Sequence, residues 1–229
     1  MRLPSGIYAI KAQLSPQQLN CAGKAGTLTA IFSGKQSFMA LKATVHKAQL
    51  QVSDLSRHHY QDYQLTLARH PSETEERLML RLLAFALCAD EQLQFGKGIS
   101  DDDEAALAIT GLDGQCQLWI ELGLPEERRL RKASHKANQV LLLAYGGTAV
   151  SKWYQSEQKA LQALDNLSIF AISPEHLALL QSFCDRTMQL QCTINEGQIW
   201  FGTSVRTEQL ALSRVKAARN ELFIWEAEC

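Results

Sequence analysis

The sequence lacks the long apolar segments that membrane insertion and export require. A membrane-spanning helix needs about 20 consecutive apolar residues, and no stretch of this chain meets that requirement. Polar residues also interrupt the N-terminal stretch before it can form the apolar core of a signal peptide: Lys11, Gln13, Gln17 and Gln18. We therefore expect a soluble protein of the cytoplasm that makes no membrane contact.

Paired cysteine motifs are absent as well. The six cysteines, at positions 21, 88, 116, 184, 192 and 229, include no CxxC pair and no Cys/His spacing of a zinc site. This pattern disfavours both a disulfide scaffold and a structural zinc site. We expect reduced cysteines that fill the core as small apolar side chains.

The chain also carries little net charge. Its formal net charge is -1, yet the first 38 residues contain four cations and no acid, so the remainder carries 19 cations against 24 acids. A mildly acidic body weighs against nucleic-acid binding driven by bulk charge, although a local basic stripe can still bind phosphates.

The length and the apolar content suffice for one core. With 229 residues, of which 46% are hydrophobic, the chain is predicted to form a single domain over residues 39–204. Residues 1–38 show no sustained periodicity, and we predict a poorly ordered N-terminal extension that folding does not need. Residues 205–229 are predicted to be a C-terminal tail that adds one closing strand at most.

Alternating apolar residues predict a β-hairpin at each end of this domain. Residues 39–52 alternate but change phase near Lys47, which predicts a bulge, and a return strand follows at residues 63–67. The second hairpin is predicted over residues 188–201. Between the hairpins, Ser72 and Glu75 predict a capped helix to about Ala89, and strands and helices then alternate, so the predicted fold class is α/β.

The stretch 117–132, QLWIELGLPEERRLRK, combines an apolar strand with a basic helix. Glu121 interrupts the strand, where a charge is costly unless a metal ion, a hydrogen-bond network or a cation such as Arg129 or Lys136 offsets it. Pro125 in a first helical position predicts the start of the helix. Glu121 is thus either a satisfied structural charge or a ligand or catalytic group.

Two further groups of acids lie where a helix and a strand begin. Glu73 and Glu76 lie at the start of the helix predicted after Ser72, within or next to its first turn. Residues 100–104, SDDDE, precede a strand predicted at 105–109. In the ordinary interpretation, the acids of the first group stabilise the N-terminus of the helix through its dipole, and those of the second group lie in a solvated loop. Together with Glu121, however, these acids also suit a hard-cation site, since Mg²⁺ binds carboxylates and substrate phosphates.

The helix after Pro125 carries a cluster of cations, namely Arg128, Arg129, Arg131, Lys132 and Lys136. Arg129 and Lys136 flank its apolar face, whereas Lys132 points away from that face. The cluster is either a solvated helix surface or a surface that binds nucleic-acid phosphates. In the second case we expect the contacts to come from Arg128, Arg129, Lys132 and Lys136.

Several segments together resemble the YaeQ family of bacterial proteins: MALKATVHKA, LTLARHPSETEERLMLRLLAFAL, LWIELGLPEERRLRKA and FCDRTMQLQ. The resemblance runs from Met39 to about Phe201 and is specific, because segments such as RHPSE and LWIELGLP occur in the family's order and spacing. It implies a fold similar to PD-(D/E)XK endonucleases, whose core runs helix, three strands, helix, strand. The elements predicted between residues 72 and 145 are compatible with that order.

The resemblance also implies a site. In that superfamily, acids from the first helix and from the second and third strands hold the metal, and a lysine assists the attacking water. Carried over to this sequence, the helix acid is Glu73 and the third-strand acid is Glu121. Glu104 would stand in for the second-strand acid and Lys132 of the next helix for the lysine, so the implied catalytic residues are Glu73, Glu104, Glu121 and Lys132. The implied Mg²⁺ ligands are Glu73 (or Glu76 in its place), Asp103, Glu104 and Glu121.

Two departures from the family's pattern bear on activity. The DEP(D/E) segment is Asp103-Glu104-Ala105-Ala106 here, so the second-strand carboxylate is missing, and Gly123 occupies the lysine position. We therefore predict a degenerate nuclease-fold protein that binds a nucleic acid or a protein partner. The alternative is an active Mg²⁺-dependent nuclease that hydrolyses phosphodiester bonds.

Overall fold

Two mixed β-sheets and four helices build residues 43–96 and 104–220, the part of the chain that this computed structural model describes. The helices are α1 Glu75–Leu87, α2 Glu127–Lys136, α3 Thr148–Gln162 and α4 Pro174–Gln181. The strands are β1 Thr44–Asp54, β2 His59–Arg69, β3 Leu93–Phe95, β4 Leu107–Thr110, β5 Cys116–Leu122, β6 Ala137–Ala144, β7 Leu167–Ile172, β8 Thr187–Asn195, β9 Gln198–Gly202, β10 Thr207–Leu210 and β11 Leu212–Lys216. The predicted α/β class is confirmed. The predicted N-terminal extension, residues 1–38, lies outside the described residues.

The first sheet joins the two predicted hairpins. Its strand order is β10-β9-β8-β1-β2, with β1 antiparallel to β2 and parallel to β8. The predicted bulge near Lys47 is wrong, because β1 and β2 pair in one continuous register from Thr44 to Asp54. The apolar alternation changes phase in the sequence because a polar residue, His46, takes an inward position. Its Nδ1 lies 2.9 Å from the Asp185 carbonyl oxygen, which satisfies that nitrogen in a buried place.

The second sheet has the order β11-β7-β6-β5-β4-β3. Strands β3, β4 and β5 form an antiparallel meander, and β5, β6 and β7 run parallel. Because β5 and β6 are parallel, the chain must cross over between them, and α2 makes that crossover. From α1 to β6 the element order is therefore helix, three strands, helix, strand.

Apolar side chains hold the elements in four layers. One cluster fills the space between the first sheet, α1, α4 and one face of the second sheet, and Leu50, Leu83 and Ile120 belong to it. Another cluster packs the opposite face of the second sheet against α2 and α3, with Leu130 and Leu142 fully buried. Helix α1 lies between the sheets, which explains why every residue from Leu78 to Leu87 is buried.

Helix α1 begins two residues later than the sequence predicts. The N-cap is Thr74, whose hydroxyl oxygen accepts a hydrogen bond from the Arg77 amide, and the predicted cap at Ser72 is wrong. Ser72 lies outside the helix because its hydroxyl instead contacts Nδ1 of His70 at 2.6 Å. Glu73 therefore precedes the helix rather than forming its first turn.

Helix α2 also begins later than predicted, at Glu127 rather than Pro125. The Pro125 carbonyl is not a helical acceptor, since it accepts a hydrogen bond from the Trp153 indole at 3.0 Å. The predicted apolar face is confirmed, because Leu130 and Ala133 are fully buried.

The region after Ser204 contributes two strands where at most one is predicted. β10 closes the first sheet against β9, and β11 pairs antiparallel with β7 at the edge of the second sheet. This region therefore belongs to both sheets.

The four described cysteines are unpaired, as predicted. Burial raises the pKa of Cys88 and of Cys192 to about 12, which suits core residues rather than reactive thiols. Among the described residues, no helix is both long and apolar enough to cross a membrane.

Candidate functional site

The Glu121 carboxylate lies on the face of β5 that packs against α2. It is 2% exposed, and its Oε1 accepts hydrogen bonds from the Trp119 indole at 2.7 Å and from Arg129 Nε at 2.9 Å. Of the two cations that the sequence offers as partners, Arg129 is the one in contact. The Lys136 ammonium instead lies 5.7 Å from the centre of the Trp119 ring, a cation–π distance.

Burial raises the pKa of the Glu121 carboxyl above its ordinary value. The hydrogen bond from Trp119, the charge and hydrogen bond of Arg129, and the charge of Arg77 all lower the same pKa and offset only part of this effect. The charged form of Glu121 is therefore held at a cost, which is typical of carboxylates in functional sites and in buried ion pairs alike.

Arg129 connects Glu121 to Glu104, which lies three residues before β4. Its Nη2 donates to the Glu104 backbone carbonyl at 2.7 Å, while its Nε bonds Glu121. The sequence predicts that Glu104 and Glu121 lie near each other, and the main chain of Glu104 does reach this site. Asp103, the other predicted acid of the segment, lies outside the described residues.

Glu73 forms a second buried charge centre, on the side of α1. The carboxylate is almost wholly buried, and Arg81 Nη1 contacts both of its oxygens, at 3.1 and 2.9 Å. Glu76 lies in the first turn of α1 and is half-buried, and it makes none of these contacts. Of the two acids that the sequence offers here, Glu73 is therefore the buried and paired one.

Arg77 stands between the two carboxylates. Its Nε lies 3.7 Å from Glu73 Oε1, its Nη1 donates to the Leu122 carbonyl at the end of β5, and its charge lowers the pKa of Glu121. Side chains alternate along β5, so Leu122 faces α1 whereas Glu121 faces α2. Glu121 thus lies on the α2 side of the second sheet and Glu73 on the α1 side, and Arg77 contacts the end of β5 between them.

The predicted carboxylates do not converge on one point in the described part of the chain. No group of three His, Cys, Asp or Glu side chains within residues 43–96 and 104–220 is placed to hold a metal ion. Each of the two buried carboxylates faces guanidinium groups instead. The described cluster is therefore a chain of alternating charges, from Arg81 through Glu73 and Arg77 to Glu121 and Arg129.

A glycine whose backbone disfavours any side chain occupies the position where the resemblance described above would place a lysine. Gly123 has a φ of 96° and lies in the turn after β5. An L residue rarely adopts this conformation, so a lysine here would be strained. Lys132, the predicted substitute, lies on the exposed surface of α2 together with Arg128 and Lys136.

A family profile described as "YaeQ protein" matches residues 39–212. The chain belongs to the YaeQ family. It is 47% identical over 175 residues to "Uncharacterized protein YaeQ" of Salmonella typhi. The aligned region covers 76% of this chain and 97% of that protein. It is 49% identical over 162 residues to the protein of the same description from Escherichia coli (strain K12), with 71% and 90% covered.

Two solved YaeQ structures share the fold. The crystal structure of the YaeQ protein from Xanthomonas axonopodis pv. citri has a TM-score of 0.73 and 39% identity, and covers 76% of this chain and 99% of its own. That of the Pseudomonas syringae protein has a TM-score of 0.73 and 36% identity, with 78% and 98% covered. The region that the YaeQ family profile matches includes α1, β5 and α2, the elements that carry the charged cluster.

Sequence reasoning misses Arg77, Arg81 and Trp119 as members of this cluster. A signal for the arginines is present, since Glu73, Arg77 and Arg81 recur at intervals of four residues, which aligns them along one side of a helix. The apolar pattern predicts only a strand residue at Trp119, yet its position two before Glu121 puts both side chains on the same face of the strand.

Proposed function

We propose that this chain is a PD-(D/E)XK-like protein that binds nucleic acid without hydrolysing it. Support for the fold comes from the element order α1, β3, β4, β5, α2, β6 and from the parallel pairing of β5 with β6 across α2. Support for the absence of hydrolysis comes from the charged cluster itself.

The single observation that carries the proposal is the arginine contact at each buried carboxylate. Mg²⁺ takes oxygen ligands with free lone pairs, but Arg81 contacts both oxygens of Glu73, and Oε1 of Glu121 accepts from Arg129 and Trp119. Guanidinium groups at these distances also repel a second cation. The described residues therefore do not fit a resident Mg²⁺, and the chain is assigned no hydrolytic step.

The proposed binding surface is the exposed face of α2. Arg128, Lys132 and Lys136 lie there, while Arg131 pairs with Glu127 one turn earlier and Arg129 turns inward to Glu121. Cations at one-turn intervals along a helix suit phosphates, which supply most of the sequence-independent affinity for nucleic acids. Because the chain as a whole is slightly acidic, we expect weak binding that depends strongly on salt.

Binding is tested by fluorescence anisotropy with single-stranded and duplex DNA and RNA over a series of salt concentrations. Arg128→Glu with Lys132→Glu should weaken binding and flatten the salt dependence by about one unit for each phosphate that the variant no longer binds. Lys152→Glu with Lys159→Glu, on the exposed surface of α3, changes charge equally and should bind like wild type. Absence of binding to every nucleic acid, or equally weakened binding in both variants, would refute the proposal in favour of a protein partner.

The alternative, an active Mg²⁺-dependent nuclease, is tested with the same substrates. Wild type and Glu121→Gln are incubated with each nucleic acid in EDTA and in Mg²⁺, and their thermal melts are recorded in both. We expect no cleavage and no Mg²⁺-dependent rise in Tm. Cleavage by wild type that Glu121→Gln abolishes would establish the nuclease instead.

A further inference from the structure

Glutamine side chains gather on the exposed face of the first sheet, opposite to the face that packs against α1. In one row across the strands, Gln49 of β1 pairs with Gln64 of β2 and with Gln189 of β8. In the next row, Gln51 pairs with Asp62 and with Gln191. Paired residues point to the same face, so these five carboxamides and one carboxylate form a continuous polar patch.

The patch is concave. A hollow of about 320 Å³ is lined by all six of these side chains and by Ser204 of the β9–β10 turn. The turn can fold back closely because Gly202 has no side chain. A Cβ atom at this position would lie 2.1 Å from the Arg206 carbonyl oxygen. A second hollow of about 200 Å³ shares Gln51 and Asp62 and continues the groove to Tyr60.

The carboxamides are available for a ligand. Within the described part of the chain, none of the five glutamine side chains is engaged in a hydrogen bond, and four of the five are exposed. Each carboxamide offers an acceptor oxygen and two N–H donors side by side. The groove thus presents both donors and acceptors, with the Asp62 carboxylate adding acceptors.

The charge of the face decides which class of ligand suits it. Among the described outward-facing residues of β1, β2 and β8, the charged ones are Lys47 and Asp62, so the face is close to neutral. A nucleic-acid strand needs a cationic path for its phosphates, and this face offers a single lysine. A neutral ligand rich in groups that both donate and accept is the better match.

We propose that this groove binds a neutral oligosaccharide. A sugar hydroxyl donates and accepts in the same way as a carboxamide, and neighbouring hydroxyls match the paired atoms of Gln51, Gln191 and Asp62. Aromatic rings suit the apolar faces of sugar rings, and Tyr60 and Trp200 lie one row further along the same face, 62% and 39% exposed. The groove is of the size of small-ligand sites, which begin at about 300 Å³.

The test is titration calorimetry of the full chain with maltohexaose, cellohexaose, chitohexaose and mannohexaose. We expect one of them to bind, and Gln51→Ala and Gln191→Ala each to weaken its binding about two- to tenfold, the effect of removing one hydrogen bond. Gln198→Ala and Gln209→Ala lie on the same face outside the hollows and serve as matched controls that should bind like wild type. All four side chains point to solvent rather than to the core, and circular dichroism verifies that each variant is folded.

Several outcomes would overturn the inference. One is that none of these oligosaccharides binds, and another is that the control variants weaken binding as much as Gln51→Ala does. Binding of single-stranded oligonucleotides that Gln51→Ala weakens would assign the groove to base recognition. Concentration-dependent dimerisation that Gln51→Ala abolishes would assign it to a second copy of the chain.

Discussion

Arg129 of α2 donates from Nε to Oε1 of Glu121 on β5 at 2.9 Å, and this contact joins the crossover helix to the strand beside it. The two members are not equally buried, because the Glu121 side chain is 3% exposed and that of Arg129 is 23% exposed. If Arg129 is replaced, the Glu121 carboxylate stays in the core without its cation. If Glu121 is replaced, the Arg129 guanidinium still has access to water.

The first prediction follows from that asymmetry. Arg129→Met should destabilise the chain by roughly 2–3 kcal/mol, somewhat less than the removal of one partner from a pair with no exposed member. Glu121→Gln should change the free energy of unfolding by about 1 kcal/mol or less, because Arg129 still bonds the Glu104 carbonyl and the burial cost of the charge disappears. Urea unfolding at neutral pH measures both. A larger destabilisation in Glu121→Gln than in Arg129→Met would contradict the asymmetry.

The raised pKa of Glu121 predicts a pH dependence. The folded state holds its proton to a higher pH than the unfolded state does, so this group favours folding at low pH and that contribution is lost as pH rises through the folded pKa. Wild type should therefore lose stability relative to Glu121→Gln as pH rises from about 4, near the unfolded pKa, towards neutrality. Urea unfolding of both proteins at several pH values measures the difference. A constant difference across that window would show that the pKa is not raised.

The buried ion pair of Glu73 with Arg81 should contribute more to stability than an ion pair near the surface. Both side chains are buried, so Arg81→Met should leave a carboxylate without its main partner and cost roughly 3–5 kcal/mol. The matched control is Arg69→Met, which removes the Arg69 contact to Glu75 near the surface and should cost less than about 1 kcal/mol. Equal destabilisation of the two variants, measured by urea unfolding, would mean that burial does not strengthen the Glu73 pair.

The start of α1 gives a fourth prediction. Thr74→Ala removes the hydroxyl that accepts from the Arg77 amide and should cost about 1 kcal/mol. Ser72→Ala removes only a hydrogen bond with exposed His70 and should fall within about 0.5 kcal/mol of wild type. Thermal unfolding of the two variants distinguishes them. The reverse order would place the cap at Ser72 after all.

Much of the fold is predictable because local patterns and tertiary packing agree. The apolar run at residues 167–172 predicts a strand and the Ser173-Pro174 pair predicts a helix start, and β7 and the cap of α4 confirm both. The errors arise where a distant partner decides. His46 takes an inward place because of Asp185, and the α2 start moves because of Trp153, and neither contact leaves a local pattern in the sequence.

The candidate site is predictable in its parts and not in its arrangement. Glu73 and Glu121 stand out because acids in apolar surroundings are unusual. The angles of Arg129 and Lys136 to the apolar face of α2 make both of them candidate partners of Glu121, and only the structure selects Arg129. The sequence does not reveal that α1 packs on the face of β5 opposite to Glu121. That arrangement separates the carboxylates and gives each its own arginine.

The parallel pairing of β1 with β8 also sets an order for the assembly of the chain during synthesis. β1 and β2 can pair as soon as both leave the ribosome. The strand that pairs with the other edge of β1, β8 (Thr187–Asn195), is synthesised more than a hundred residues later. Until then the β1 edge of the hairpin is unpaired, and the apolar residues Ala48, Leu50 and Val52 are not fully buried. Pairings between distant segments form late and slowly. The early hairpin is therefore the segment of the nascent chain on which we expect chaperones to act.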